Sequence, residues 1–292
     1  TAEYYNKITY NIIQIVSLPP NTGIEAPAAL NIAQVRNRGF EFQVSYNQRV
    51  GPVNLNISTN LTTVDNKVLK LNEGTPLGGE GGRIEEGYSM FYLWGYKEGG
   101  IFQSQAEIDA WRKSHADVSI GQSLTNPTAG YTYKPGDMYF QDVYGNPVNP
   151  KDRYSKNPDS LINSNDRTFL GKTIPGYYYG FTLNANYKGI DISVFFQGTG
   201  DVKKYNYARS GGESMGGLAN QCATVLDRWT EQNHSTTIPR AVYNNPSNPN
   251  RLSSRFVESA AYLRLKNLQI GYSLPKSLLN RAGFIDNIRI YG

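Results

Sequence analysis

The sequence predicts an all-β fold, a transmembrane antiparallel β-barrel with long extracellular loops. Apolar and polar residues alternate over residues 179–187, which is the period of a β-strand. After a short turn at Lys188 and Gly189 the alternation resumes over residues 190–197, so the segment is a hairpin. Each strand has about nine or ten residues, the length of a tilted barrel strand that crosses a bilayer. The chain has no apolar run of about 18 residues, which excludes a transmembrane helix.

The composition agrees with a strand-rich protein. The 292 residues include 29 Gly, 15 Pro and 22 Tyr but only 3 Trp and 3 Met, a profile of turns and strands rather than of an α/β enzyme. A hydrophobic fraction of 39% does not exclude the membrane, because only every second residue of a barrel strand faces lipid. The net charge of +5 comes from scattered residues and gives no case for nucleic acid. The single cysteine, Cys222, excludes an internal disulfide framework.

The first third of the chain contains three predicted strands. The first covers residues 4–16, where the apolar residues share one phase. A Pro-, Gly- and Ala-rich link over residues 17–32 leads to a hairpin over residues 40–61 that turns at Gly51 and Pro52. This hairpin is the longest clean period-two repeat in the sequence.

Residues 65–173 read as ordered loops rather than as strands. Ser104 and Glu107 have the spacing of a capping box, which predicts a short helix directly after Ser104. A second loop covers residues 199–258, and the helical spacing of its apolar residues over 218–229 predicts an amphipathic helix. The pair Asp227-Arg228, together with Arg240 after Pro239, is expected to order this loop, with contact to a partner protein as the alternative.

The last predicted strand covers residues 262–272. Its apolar phase shifts between Leu265 and Leu268, which indicates a β-bulge. Loop lengths orient the barrel, because outer-membrane barrels have short periplasmic turns and long extracellular loops. The two short turns should therefore be periplasmic, and the segment between the hairpins should cross the membrane either not at all or twice. The abrupt ends of the sequence suggest a piece of a longer protein.

Six stretches, in order and covering nearly the whole chain, resemble the SusC-like (SusC/RagA family) TonB-dependent outer-membrane transporters of Bacteroidota. They are VRNRGFEFQVSY at 35–46, WGYKEGGIFQSQAEIDAW at 94–111, PGDMYFQDVYGNP at 135–147, NDRTFLGKTIPGYYYGFTLNANYKGIDISVFFQG at 165–198, LDRWTEQN at 226–233 and YLRLKNLQIGYSLPKSLL at 262–279.

The resemblance implies that residues 1–292 are the C-terminal part of a single barrel domain of about 22 strands. The plug, the N-terminal barrel strands and the segment that contacts the TonB complex would precede Thr1. It also implies active import of oligosaccharides or peptides across the outer membrane, a SusD-like surface lipoprotein as a lid, and a dimer of SusCD-like pairs as one form of assembly. No residue of the chain is expected to perform covalent chemistry.

One stretch departs from the family pattern. DVYGNPVNPKDR at 142–153 lies where relatives have a run like DxNGDGxIDxxDR, which is similar to a calcium loop. Tyr144 replaces an oxygen ligand and Pro147 replaces the glycine of the sharp turn, while Asp142, Asn146 and Asp152 keep oxygen-bearing side chains. We interpret the stretch as an ordered turn without a cofactor, with calcium binding by these three residues as the alternative.

Four aromatic residues are candidate ligand contacts, since aromatic rings are platforms for sugar rings and peptide side chains. They are Trp94, Tyr96, Tyr205 and Tyr207. Trp229 is expected to pack in the loop instead. Tyrosines at the strand ends, Tyr177, Tyr178 and Tyr187, are expected in the interfacial girdle of the barrel.

Two other classes of protein compete with a transporter. A soluble extracellular β-rich module that binds glycans would share the alternation, but its outer strand face should carry charged residues rather than Thr, Asn, Ser and Gln. A serine hydrolase is suggested by the GxSxG match at 212–216, yet that motif requires a strand-to-helix turn and a positioned histidine. We interpret the match as a flexible glycine loop.

Overall fold

Antiparallel strands dominate the computed structural model, which describes residues 1–16, 28–71, 74–79, 81–120, 131–147, 154–245, 247, 249–279, 285 and 287–292. The strands are β1 (Ala2–Val16), β2 (Ala28–Val50), β3 (Val53–Thr63), β4 (Asp65–Lys70), β5 (Leu77–Gly79), β6 (Gly82–Ile84), β7 (Leu93–Gly95), β8 (Glu98–Ile101), β9 (Ala116–Asp117), β10 (Met138–Phe140), β11 (Leu161–Ile162), β12 (Thr168–Gly171), β13 (Tyr177–Tyr187), β14 (Ile190–Gly200), β15 (Lys203–Tyr205), β16 (Val257–Ser259), β17 (Tyr262–Ser273) and β18 (Arg289–Tyr291). The α-helices are α1 (Gln105–Arg112), α2 (Tyr207–Gly212) and α3 (Lys276–Leu279). No helix in the described ranges is long and apolar enough to span a membrane.

One eight-stranded sheet forms the wall of the molecule, in the order β1-β2-β3-β13-β14-β17-β18 with β4 paired to β2. The strand β3 pairs directly with β13, from Thr63 opposite Tyr177 to Val53 opposite Tyr187. Within the described residues, the segment between them adds only the six-residue β4 to the wall sheet, paired to β2, and inserts no strand between β3 and β13. Of the two alternatives left open by the sequence, the described residues show a segment that contributes no full-length crossing.

Both predicted hairpin turns are confirmed. The β2-β3 turn contains Gly51 at φ +58°, and the β13-β14 turn contains Lys188 and Gly189 at φ +47° and +87°. Two successive residues with positive φ form the type of turn that matches the twist of paired strands. Hence β13 and β14 pair without a register shift over their full length.

The two faces of the wall differ in chemistry. Exposed apolar side chains form one face, and no part of the described chain covers them. They include Phe40, Phe42, Val44, Tyr46, Leu61, Phe181, Ile190, Ile192, Leu263, Leu265, Leu268 and Ile270. Amides and hydroxyls line the opposite face, where one cross-strand row contains Asn47, Asn56, Asn184, Ser193 and Gln269. Asn184 Nδ2 donates to Asn56 Oδ1 at 3.3 Å, so these amides bond along the row.

The predicted bulge lies in β17. Asn267 is opposite Phe195 and Leu265 is opposite Phe196, so Lys266 is an extra residue in the ladder. One extra residue reverses the face of every residue beyond it. That is why the outward position passes from Leu265 to Leu268.

The helix predicted after Ser104 is confirmed as α1. Ser104 Oγ accepts the Glu107 N–H at 3.2 Å, which is half of the predicted capping box. The Glu107 carboxylate accepts the N–H of Gln103 at 2.6 Å, one residue earlier than the box requires. The predicted link at 17–32 is too long, because β2 already begins at Ala28; residues 17–27 lie outside the described part of the chain.

The amphipathic helix predicted at 218–229 is wrong. Only a short 3-10 turn, Ala223–Asp227, is present there, while Leu218 and Leu226 are 93% and 74% exposed. Nothing in the described chain covers their side chains, and a helix this short needs a buried face to be stable. Trp229 is buried as expected, in a loop cluster with Tyr96, Ile101, Met138, Phe140 and Ile162.

Tyrosine rings lie over glycines near one end of the wall. A Cβ atom at Gly198 would lie 2.5 Å from the Tyr262 carbonyl oxygen and against the Tyr179 ring, and the Tyr177 ring covers Gly200 in the same way. Tyr177 and Tyr179 share the apolar face with Phe181 by alternation. Tyr178 lies between them on the polar face, so its expected place in the girdle is wrong.

Replacing Gly198 by Ala is expected to destabilise the wall by about 1–3 kcal/mol, because the added methyl group meets backbone and not only a movable ring. Thermal unfolding of the full-length protein in detergent measures the effect. Gly217→Ala is the matched control, since a Cβ there meets nothing within 4 Å and the backbone φ is ordinary. Equal unfolding temperatures for the two variants would contradict the packing argument.

Candidate functional site

A buried ion pair joins the two long loops. Asp117 is fully buried in β9, and Arg251 Nη2 donates to its Oδ2 at 2.5 Å. Tyr133 donates its hydroxyl to the same oxygen at 2.8 Å, and the Arg251 guanidinium lies 4.0 Å from the centre of the Phe140 ring. Asp117 belongs to the loop that precedes β13 and Arg251 to the loop that follows β14. The pair therefore fixes one loop against the other.

A second buried pair has the same topology. Arg240 donates to both oxygens of Asp137, at 2.6 and 3.3 Å, and to the Tyr131 hydroxyl at 2.7 Å. Asp137 is fully buried, and it also accepts the Lys134 N–H at 2.8 Å. The predicted loop-ordering role of Arg240 is confirmed, with Asp137 of the first loop as its partner.

A third cluster centres on Arg255. This buried side chain donates to Glu213 at 3.0 Å and to the Thr237 carbonyl oxygen at 2.6 Å. Arg209 contacts the other oxygen of Glu213 at 2.9 Å, and Glu98 lies 3.7 Å from Arg255. Burial raises the pKa of Glu98, and the nearby arginines oppose that rise. Glu98 comes from the first loop and the other three charges from the second.

Three of the four predicted ligand residues lie around one open cleft of about 510 Å³ in this loop layer. The residues that give it its chemistry are Tyr96, Tyr205, Tyr207, Ser210, Asn250 and Arg251. The Tyr205 and Tyr207 rings meet edge to face at 4.7 Å, and Tyr207 is 68% exposed. Tyr96 is buried beneath the Arg251 guanidinium, 4.8 Å from its ring centre.

The cleft presents aromatic, hydroxyl and amide groups and one arginine. The Arg251 charge is neutralised by Asp117, so the cleft offers hydrogen bonds and ring faces rather than net charge. Sequence reasoning missed Asn250, Arg251 and Ser210. Nothing local marks Arg251, because its place at the cleft depends on Ser119 and Asp117, which lie 132 and 134 positions away. Ser210 and Asn250 are held by nearer partners, Tyr205 and the Ser214 carbonyl oxygen, but no motif distinguishes them in the sequence.

Trp94, the fourth predicted residue, does not join this cleft. The guanidinium groups of Arg83 and Arg167 lie 3.9 and 4.3 Å from its ring centre. Two cationic groups therefore already occupy the surface of this ring. Trp94 borders a separate small cavity of about 170 Å³, together with Tyr88, Tyr92, Tyr144, Tyr154 and Phe169.

The predicted calcium residues are engaged in other bonds. Asp142 Oδ2 accepts the Ser160 N–H at 2.5 Å, and Asn146 Oδ1 accepts from Asn165 Nδ2 at 2.9 Å. Asp142 Oδ1 is the only buried oxygen of this set without a hydrogen-bond partner, whereas calcium takes about six to eight oxygen ligands. Asp152 lies outside the described residues. The described donors do not fit a calcium ion by themselves, and the role of Asp152 stays a prediction.

Asp166 holds the turn that the metal would otherwise hold. Its carboxylate accepts the N–H groups of Val143, Tyr144 and Asn163 at 2.8, 3.0 and 2.7 Å. Burial raises the pKa of Asp166 to about 6, although these three donors oppose the rise. The structure therefore orders this turn with backbone hydrogen bonds to a carboxylate.

The GxSxG match has the wrong local structure for a nucleophile. It begins at Gly212, where α2 ends, and so follows a helix instead of connecting a strand to one. Of the two histidines, His115 stacks on Trp111 and His234 lies against Trp229. Neither ring is placed by these contacts to activate Ser214.

No family model matches the chain. Among curated proteins, TonB-dependent receptor P3 of Formosa agariphila is 26% identical over 99% of this chain and 26% of its own length. TonB-dependent receptor P26 of the same organism is 28% identical over 99% and 27%. TonB-dependent receptor SusC of Bacteroides thetaiotaomicron is 22% identical over 92% and 23%. The chain resembles the SusC-like TonB-dependent receptors. The chain spans about a quarter of the length of these relatives.

Solved structures agree on the fold of this chain. The RagAB peptide transporter superposes with a TM-score of 0.71 at 22% identity, over 99% of this chain and 28% of that one. The RagAB peptide importer in its 'open-open' state gives 0.69 at 21% identity. The predicted antiparallel barrel wall is thereby confirmed. The curated relatives are named receptors, not enzymes, in agreement with the expected lack of catalysis.

Replacing Arg251 by Met is expected to loosen the loop layer by about 3–5 kcal/mol, because it leaves Asp117 buried without its partner. The triple variant Asp117→Leu, Arg251→Met and Tyr133→Phe should recover much of this loss, since apolar side chains of similar volume need no partner and no Tyr133 hydroxyl is left without its acceptor. Limited proteolysis of the loops in the full-length protein measures both. Equal sensitivity of the single and triple variants would show that the pair does not hold the loops.

Proposed function

We propose that the chain is the C-terminal part of a SusC-like barrel that imports bulky nutrients across the outer membrane with energy from the TonB complex. The observation that carries the proposal is the wall itself, with an uncovered apolar face on one side and an amide-lined face on the other. An apolar face suits lipid, and a polar face of amides and hydroxyls with a few charges, such as Arg264, suits a water-filled lumen.

The edges of the sheet support the same proposal. The strand β1 pairs on one side with β2, and β18 pairs on one side with β17, within the described chain. A bilayer tolerates no open strand edge, because it offers no hydrogen-bond partner to the backbone. Further strands of the full-length protein would close the barrel, and a plug and a TonB-contacting segment would precede Thr1.

The competing soluble glycan-binding module fits less well. A β-sandwich buries its apolar face beneath a second sheet. No second sheet of the described residues lies on the apolar face here, and its side chains remain exposed. The exposed area is too extended for a soluble monomer.

We assign the cargo site to the cleft bordered by Tyr205, Tyr207 and Arg251, where the buried Tyr96 ring supports the guanidinium from below. Its rings and neutral hydrogen-bonding groups match oligosaccharides and peptides, the two cargo classes implied by the family. Trp94 is withdrawn from this role because two arginines already contact its ring and it borders a separate cavity. RagAB, a structural relative, is named a peptide importer, which supports peptides as the cargo class. The curated relative SusC supports the family on which both cargo classes rest.

A SusD-like lipoprotein is the proposed lid. Leu218 and Leu226 project from the second loop, and their exposed apolar side chains are suitable contacts for such a partner. The 'closed-closed' and 'open-open' states named for RagAB support an assembly that opens and closes. A dimer of such pairs is the larger assembly expected from the family.

Location is the first test of the function. The full-length protein is expected in the outer-membrane fraction and should shift on gels between unheated and boiled samples, because a closed barrel resists detergent until it is heated. A soluble protein without a heat-dependent shift would overturn the transporter proposal.

The cleft is tested by Tyr207→Ala in the purified complex. Loss of one exposed ring is expected to weaken cargo binding about tenfold, since a ring contact provides about 0.5–1.5 kcal/mol beyond its buried area. Tyr243→Ala is the control, because Tyr243 is equally exposed in the same loop but does not line the cleft. The binding assay uses the cargo that mass spectrometry identifies in the native complex. Equal binding by the two variants would place the cargo elsewhere.

A further inference from the structure

A cluster of charged side chains lies at the rim of the wall, directly above its apolar face. The last outward row below the rim contains Tyr4, Phe40, Thr63, Tyr177 and Gly200. In the next row Arg38 is opposite Asn6 on β1 and Asp65 on β4. The change from aromatic to charged residues therefore takes place within one step along the strands.

The cluster contains two acid-base pairs that border the groove and a third base, Arg36, behind the first pair. Arg38 Nε donates to Asp65 Oδ2 at 2.7 Å, and Arg36 Nη2 approaches the same oxygen at 3.5 Å. Lys172 Nζ contacts Asp201 Oδ2. The side chains of Arg38, Asp65 and Asp201 are about half exposed, so their charges remain accessible.

The two pairs border one open groove of about 610 Å³, whose floor includes Tyr4, Phe40 and Gly176. Gly176 keeps the groove open, because a Cβ atom there would lie 2.7 Å from Lys172 Nζ and against Asp201. The groove thus joins an aromatic floor, level with the top of the apolar face, to a rim of alternating charge.

Alternating charge selects the ligand. A simple anion such as a phosphate monoester would gain from Arg38 and Lys172 but would be repelled by Asp65 and Asp201. A headgroup with a phosphate next to a primary ammonium satisfies all four groups, since the phosphate accepts from the arginine and lysine while the ammonium donates to the carboxylates. A quaternary ammonium cannot donate those hydrogen bonds.

We propose that this groove binds a membrane lipid whose headgroup carries a phosphate and a primary amine, with its acyl chains on the apolar face below. The assignment rests on the proposed outer-membrane location, and the orientation by loop length places the groove at the level of the outer leaflet. Bound lipid would then fix the point where β12 leads into β13 and where β14 leads into β15, since Lys172 and Asp201 lie on those connections.

The test uses the full-length protein reconstituted with equal parts of phosphatidylethanolamine, phosphatidylglycerol and phosphatidylcholine, followed by native mass spectrometry of the lipids that remain bound. Phosphatidylethanolamine is expected to be retained about fivefold over each of the other two. Preference for phosphatidylglycerol would show a simple anion site and overturn the proposal, as would equal retention of all three.

Variants localise the effect. Lys172→Gln and Arg38→Gln are each expected to lower the phosphatidylethanolamine preference about threefold, the change expected when one exposed ionic contact is lost. Arg264→Gln removes a charge from the opposite face of the wall and should leave the preference unchanged. A preference that survives both rim variants overturns the assignment. The heat-dependent gel shift is recorded for every variant, so that a failure of the barrel itself is distinguished from a failure of lipid selection.

Discussion

The pairing of β3 with β13 is the constraint on which the rest of the structure depends. Backbone groups in an apolar medium must all find partners, so each wall strand has to be paired along its whole length. The Thr59 hydroxyl reaches the Gly180 carbonyl oxygen at 3.0 Å across 121 positions of sequence. Because this ladder closes without a gap, the long segment between the two strands must leave and return at the same end of the wall. The pairing of β14 with β17 likewise makes the second long segment leave and return at that end of the wall. The two long segments therefore lie next to each other.

The layer formed by the two long loops has few long strands. Buried ion pairs, instead of strand pairing, fix its segments against each other. Each of the three arginines, Arg240, Arg251 and Arg255, reaches a carboxylate that is almost completely buried. Arginine suits this role because its planar group donates several hydrogen bonds in fixed directions and also stacks on aromatic rings. Such pairs add little net stability compared with apolar residues of the same size. They do restrict the loops to one arrangement, since a displaced loop would leave a charge buried without a partner.

The wall could be predicted from the sequence, and the loop layer could not, for the same physical reason. A period of two, a turn with two positive φ angles and a phase shift at Lys266 are local features, and each has one structural meaning. Asp117 and Arg251 are 134 positions apart, and nothing near either residue indicates the other. The helix expected at 218–229 was wrong because spacing alone does not provide a surface to pack against. Tyr178 was misplaced because its position at a strand end was considered without the face on which it lies.

The cleft combines residues that the sequence predicts with long-range contacts that it does not predict. Tyr96, Tyr205 and Tyr207 were selected by residue type, but their grouping follows from Arg251, which lies over Tyr96 and at the same time bonds to Asp117. Arg251 therefore belongs both to the lining of the cleft and to the bond that holds the loops together. A ligand that contacts this guanidinium interacts with one arrangement of the loops and not with another. By thermodynamic linkage, binding of that ligand stabilises the ordered arrangement of the two loops, and the ordered arrangement strengthens binding by the same free energy. Under the proposed function, cargo binding at the cleft and the ordering of the two loops are therefore one equilibrium, set at Arg251, a residue that no sequence motif marks.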